Sequence, residues 1–188
     1  MYIRMASVDD ARAILAVYAP YCATPITFEL QPPLIKEMER RILEVLKKYP
    51  WLVMVDGDEV VGYAYGHEFR DRPAYRRSVE TSVYVSQNVR AKGIGSALYQ
   101  QLLAMLKSQR FVTAIGGVTL PNEASVKLHE RFGFKFIGEY KNIGYKCDEW
   151  HGVGFFELEL NPPEKYPEEP LGLDAVTGML DHGSHDRA

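Results

Sequence analysis

The chain has 188 residues and a mass of 21.4 kDa; 46% of the residues are hydrophobic and 12% aromatic, which suits one packed domain with a sizeable core. A formal net charge of -3 gives no reason to propose nucleic acid or an anionic membrane as partner. There is no apolar run of about 18 residues, the opening Met-Tyr-Ile-Arg-Met is no secretion signal, and Cys22 and Cys147 form neither a disulfide framework nor a metal knuckle; a soluble, metal-free protein of the reducing cytoplasm is expected.

Tyr2 to Met5 reads as a short strand, and Ser7-Val-Asp-Asp10, a serine with an acid three residues on, announces a helix. That helix carries Ala11, Ile14, Leu15 and Tyr18 on one face and stops before Pro20. Tyr21 to Pro33, with prolines around Ile26-Thr-Phe-Glu-Leu30, is expected to be a long loop of the kind that serves a site. A second helix starts near Pro33, runs through Leu34, Met38, Ile42 and Val45, and ends by Pro50. Strand, tight turn and strand follow from Trp51 to Glu68, with the turn at Asp56-Gly-Asp-Glu59. Arg70 to Arg77 then holds four arginines, either a solvated loop or a clamp for a carboxylate or phosphinate.

The next stretch organises the rest. Val79, Thr81, Val83 and Val85 alternate with Glu80, Ser82 and Tyr84, as in a strand, and a helix starts near Gly95 with Leu98, Leu102, Met105 and Leu106 as its stripe. Between them lie Arg90, Lys92, Gly93 and Gly95. Free N–H groups at the helix start, the positive dipole end and glycines that admit a close ligand make an anion site, best suited to a phosphate or pyrophosphate. A Walker loop is absent, and Leu98 stands where a Rossmann fingerprint needs its third glycine.

Val112 to Val118 reads as another strand, interrupted by Gly116 and Gly117. Asn122 caps a helix that shows Val126, His129 and Phe132 on one side and ends at Gly133. Strands are expected from Lys135 to Tyr140 and from Val153 to Leu160, with Cys147 a small buried residue between them. Residues 161–188 carry prolines and acids without an amphipathic period, so the chain divides into a domain over 1–160 and an arm or mobile tail.

Arg90-Ala-Lys-Gly-Ile-Gly95 after a strand resembles the pyrophosphate loop of the GNAT superfamily of N-acetyltransferases, and Asn122-x-x-Ser-x-x-x-His-x-x-x-Gly-Phe134 resembles its second signature. Tyr49-Pro-Trp-Leu-Val, Ala74-Tyr75, Glu80 to Ser86, Gly144-Tyr-Lys and Trp150-His-x-Val-Gly-Phe are similar to the phosphinothricin N-acetyltransferase branch. The resemblance covers roughly Tyr2 to Leu160. It implies an α+β fold, a mixed, mostly antiparallel sheet with helices on both faces, splayed where acetyl-CoA binds. It further implies Val83, Tyr84, Val85, Arg90, Ala91, Lys92, Gly93, Ile94, Gly95, Ser96 and Asn122 as cofactor contacts. Glu80 takes the place of the base, and His129 that of an acid, a relay or a structural residue.

The acceptor implied is the α-amino group of a small amino acid or analogue, such as phosphinothricin, methionine sulfoximine or methionine sulfone. Phe28, Glu29, Pro73, Ala74, Tyr75, Arg76 and Thr119 would be its walls. Arg76-Arg77-Ser78 departs from the aromatic residue or threonine of some members, which leaves the exact ligand open. Homodimers are the family's habit. A protein-terminus acetyltransferase and a non-catalytic acyl-CoA-binding module remain as other readings.

Overall fold

Residues that alternate in the sequence become the two faces of one sheet. The computed structural model describes residues 1–89 and 93–183. Among these, the strands are β1 (Tyr2–Met5), β2 (Trp51–Asp56), β3 (Glu59–Glu68), β4 (Ser78–Val85), β5 (Thr113–Leu120), β6 (Lys135–Lys146) and β7 (Glu149–Glu159). The α-helices are α1 (Ala11–Tyr18), α2 (Ile35–Leu46), α3 (Ile94–Ser108) and α4 (Glu123–Arg131). The sheet runs β1-β2-β3-β4-β5-β7-β6, antiparallel throughout except for β4 with β5. This is the expected α+β arrangement.

β2 shows why helices cover both faces: it is buried along Trp51–Val55, so successive residues feed opposite layers. Leu52 and Met54 join the layer of α3, whose Leu98, Leu102, Met105 and Leu106 are fully buried. Trp51, Val53 and Val55 join that of α1 and α2, with Ile14, Val17, Met38 and Ile42. Each such side chain contributes about 1.5–3 kcal/mol of burial. Leu34, read as part of the α2 stripe, instead precedes the helix and is 80% exposed.

The last hairpin is longer than the sequence suggests, because β6 reaches Lys146 and β7 begins at Glu149. A register shift between Tyr140 and Gly144, with Asn142 at φ 51°, breaks the alternation that would have revealed it. Cys147 is exposed, not buried. It forms the hairpin turn with Asp148, both at positive φ.

Beyond β7 the chain lies along the α3 layer as an arm. Asn161 Nδ2 donates to the carbonyls of Lys107 and Phe111, the Leu171 amide donates to the Gln109 carbonyl, and Val176 is 1% exposed within the core. Residues 184–188 of the expected tail lie outside the described residues. Among the described residues no helix is long and apolar enough to cross a membrane.

Candidate active site

β4 and β5 begin as neighbours and then part. Their parallel ladder holds only Ser78–Thr113, Val79–Ala114 and Glu80–Ile115. Thr81 Oγ1, buried behind the point of parting, lies 3.2 Å from the Ile115 carbonyl. Beyond it, Thr81–Val85 and Gly116–Leu120 leave a cleft of about 320 Å³ between them. Tyr21 and Tyr84 line it from the α1 layer, while Gly95, Asn122, Leu128 and His129 line it from the α3 and α4 layer. The cleft therefore crosses the sheet.

Val83, Tyr84 and Val85 stand on the parted edge. The Tyr84 ring is held edge-on by Tyr18 and Tyr21 at centroid distances of 5.0 and 5.2 Å, and Tyr21 donates its hydroxyl to the Val85 carbonyl at 2.6 Å. At the end of the cleft α3 starts. Gly93 is its N-cap at φ 99°, a left-handed conformation that disfavours any side chain, and a Cβ there would meet nothing within 4 Å. The amides of Ile94, Gly95 and Ser96 fall in the first turn, where an α-helix offers no internal acceptor. Arg90, Ala91 and Lys92 lie outside the described residues.

Two adjacent glycines of β5 separate the two candidate chemical groups. A Cβ on buried Gly116 would collide with the His129 imidazole, so the ring rests directly on the strand. A Cβ on Gly117 would point to the other face, 3.3 Å from Glu80 Oε1. Glu80 and His129 thus stand on opposite sides of one backbone.

On the Glu80 side the carboxyl is half-buried, cross-strand from His67. Burial pushes its pKa above the ordinary value, against the opposing pull of His67 and Arg70. A second cleft of about 320 Å³, lined by Phe69, Arg70, Ile115, Tyr140 and Phe155 among others, opens beside it. Ile115 is the register partner of Glu80.

On the other side His129 is 4% exposed and fully bonded. Nδ1 lies 2.8 Å from the Ser125 carbonyl, which can only accept, so the proton sits on Nδ1. Nε2 then accepts from the Tyr99 hydroxyl at 3.0 Å, and Thr81 Oγ1 lies 2.6 Å from that hydroxyl. Burial lowers the His129 pKa, although the Ser125 bond opposes this, so the ring is neutral near pH 7.

The remaining expected residues divide. Asn122 caps α4, its Oδ1 accepting from the Ser125 amide at 3.1 Å, and lines the cleft. Thr119 also lines it, with Oγ1 donating to the Ile26 carbonyl at 3.4 Å. Phe28 rests on Gly144 of β6, and Glu29 is paired with Arg41 while its carbonyl accepts from Lys146. Pro73, Ala74 and Tyr75 form an exposed 3₁₀ turn. Arg76 does not line either cleft; its guanidinium is bound to Glu169 of the arm. Sequence reasoning did not single out Tyr99, though a tyrosine beside an apolar helix stripe needs a partner for its hydroxyl. Among the described residues no group of three or more His, Cys, Asp or Glu is placed to hold a metal ion.

The family model for the acetyltransferase (GNAT) domain matches residues 3–152. The phosphinothricin N-acetyltransferase of Streptomyces coelicolor is 36% identical over 81% of this chain and 92% of its own. An L-methionine sulfoximine/L-methionine sulfone acetyltransferase of Pseudomonas paraeruginosa is 34% identical over 88% of this chain and 98% of its own. Among solved structures, a GNAT superfamily phosphinothricin acetyltransferase from Sinorhizobium meliloti in complex with AcCoA superposes with a TM-score of 0.83 and 31% identity, covering 91% of this chain and 97% of its own. With its sheet parted after Glu80 and matched signatures on either side of the gap, the chain belongs to the GNAT acetyltransferase family.

Proposed function

We propose that the protein transfers the acetyl group of acetyl-CoA to the α-amino group of a small amino acid or analogue, of the phosphinothricin, methionine sulfoximine or methionine sulfone type for which its relatives are named. The observation that carries this reading is Glu80, a half-buried carboxyl with a raised pKa at the point where β4 and β5 part, against cleft-lining Gly117 and opposite Ile115 of the second, aromatic cleft.

Acetyl-CoA supplies an acyl carbon activated as a thioester. The parted edge at Val83, Tyr84 and Val85 would take the pantetheine as an added strand, with Asn122 opposite. The open first turn at Gly93, Ile94, Gly95 and Ser96, with Arg90, Ala91 and Lys92 before it, would take the pyrophosphate. An acceptor arrives as an ammonium and has no free electron pair. Glu80 removes its proton directly or through one water, and burial makes this carboxylate a stronger base than an exposed one. The nitrogen–carbon bond would then form as the carbon–sulfur bond breaks, the electron pair leaving with sulfur, and the second proton shed by the acylated nitrogen would go to that thiolate.

Arg70 in the second cleft presents a fork that suits the acceptor carboxylate. His129, with both ring nitrogens engaged, serves as the wall on which Gly116 rests and as the partner that orients Tyr99. A cytoplasmic homodimer completes the reading; Tyr145 and Trp150, exposed register partners on β6 and β7, supply apolar surface for a second copy.

A coupled thiol-release assay with methionine sulfone, methionine sulfoximine, phosphinothricin, a polyamine and a short peptide tests this. Release with the amino acid analogues and not with the polyamine or peptide is the expected result. Release with the peptide alone, or with no amine, overturns it.

A further inference from the structure

We infer that the arm beyond the family domain is a strap for the acceptor loop, with Glu169 as its positioning residue; this rests on the acetyltransfer reading above. The family match ends at residue 152, yet the chain continues and is fastened three times. Asn161 bonds the end of α3 through the Lys107 and Phe111 carbonyls. Leu171 exchanges hydrogen bonds with fully buried Gln109, its amide donating to the Gln109 carbonyl and its carbonyl accepting from Gln109 Nε2. Val176 inserts into the core, and Leu173, Met179 and Leu180 pack against the same cluster.

Between the first two fastenings, Pro167, Glu168 and Glu169 meet the loop that joins β3 to β4. Arg76 donates both Nε and Nη2 to the Glu169 carboxylate at 2.6 and 2.7 Å. Arg77 donates to Glu169 Oε1 at 3.0 Å, to the Pro167 carbonyl at 2.8 Å and to the Glu168 carbonyl at 3.1 Å. Glu168 itself pairs with Arg110. Arg76 also reaches back to the Pro73 carbonyl at 3.0 Å, so the same guanidinium closes the 3₁₀ turn and grips the arm.

The loop so held begins at Phe69 and Arg70, which line the second cleft, and ends just before Glu80. Residues 71–76 are all exposed, so little else in the chain restrains them. A loop already ordered before the acceptor arrives loses less freedom when it binds, which lowers the acceptor KM and leaves the chemical step alone. Arg76 and Arg77 thereby act through the arm and not on the acceptor.

Glu169→Gln removes the charge without shortening the side chain. Its expected effect is a two- to fivefold rise in acceptor KM, about what the two exposed ion pairs to Arg76 and Arg77 support together, with kcat and the acetyl-CoA KM unchanged. Amide exchange over residues 70–77 speeds up in parallel. Glu169→Arg, which sets a third cation against two arginines, raises the acceptor KM about tenfold. Glu164→Gln, elsewhere on the exposed arm, changes none of these. An acceptor KM and a loop exchange rate that both stay at wild-type values overturn the proposal, and so does a change in only one of them. If the wild-type protein acetylates no amine, the acetyltransfer reading fails by itself, and the exchange rates still decide whether the arm braces the loop.

Discussion

Gly116 and Gly117 are neighbours in one strand, yet each admits a different kind of group. On the Gly116 side, His129 has every polar atom partnered, through Ser125, Tyr99 and then Thr81, and burial keeps it neutral. On the Gly117 side, Glu80 is half-buried with its pKa raised, its Oε1 3.3 Å from where a Cβ on cleft-lining Gly117 would sit. The first environment is finished as a structure, whereas the second stores an unfavourable charge. Chemistry belongs to the side where a group has something to gain from a ligand.

The largest effect that tests this contrast is Gly116→Ala. The new Cβ has no space against a buried ring, so destabilisation of about 3 kcal/mol is expected by denaturant titration. Gly117→Ala, by contrast, meets Glu80 Oε1 at 3.3 Å, Phe155 at 3.7 Å and Val153 at 3.8 Å, with no collision. The entropy gained by restricting the unfolded chain, about 0.4–1 kcal/mol, offsets that contact. Equal losses for the two alanines would erase the distinction between the faces.

Next comes Glu80→Gln, expected to lower kcat by about 10². The base must be ionised, so wild-type activity is present above the Glu80 pKa and is lost as pH falls through it. That acidic limb lies above the ordinary value of 4.5, and the glutamine variant lacks it. Stability moves the other way. A carboxyl whose folded pKa is raised binds more protons folded than unfolded, so its ionisation at neutral pH opposes folding and Glu80→Gln leaves Tm unchanged or higher. A variant with full turnover and a wild-type pH profile would remove Glu80 from the reaction.

The sequence made the element order legible because its periods are unmixed: Leu98, Leu102, Met105 and Leu106 at helical spacing, and Val79, Thr81, Val83 and Val85 at strand spacing. The hairpin of β6 and β7 was misread because a bulge near Asn142 shifts its register. Asn122 and His129 line the gap between β4 and β5, and Glu80 lies where that gap begins. Arg76 was misplaced for a different reason. Its partner Glu169 is distant in sequence, in a segment whose composition shows no period, and long-range ion pairs leave no local signal.

A smaller effect probes the finished side. Tyr99→Phe removes the donor to His129 Nε2 and leaves a buried acceptor bare, at about 1–3 kcal/mol. If His129 is only a wall, Tm falls while kcat under stable conditions drops by less than about tenfold. A loss of turnover matching that of Glu80→Gln would move the hydrogen-bonded chain from structure into catalysis.

The smallest effect separates two tasks within one side chain. Asn122 caps α4 through Oδ1, and its amide also faces the cleft proposed for the pantetheine arm. Asn122→Ala removes both and is expected to cost about 1 kcal/mol of stability while raising the acetyl-CoA KM. Asn122→Ser restores an acceptor for the Ser125 amide, because serine caps nearly as well as asparagine, but its shorter hydroxyl does not replace the amide in the cleft. Stability should therefore return in the serine variant while the acetyl-CoA KM stays raised, with the acceptor KM untouched in both. If KM recovers together with stability, Asn122 acts on the cofactor only by holding the helix that carries His129.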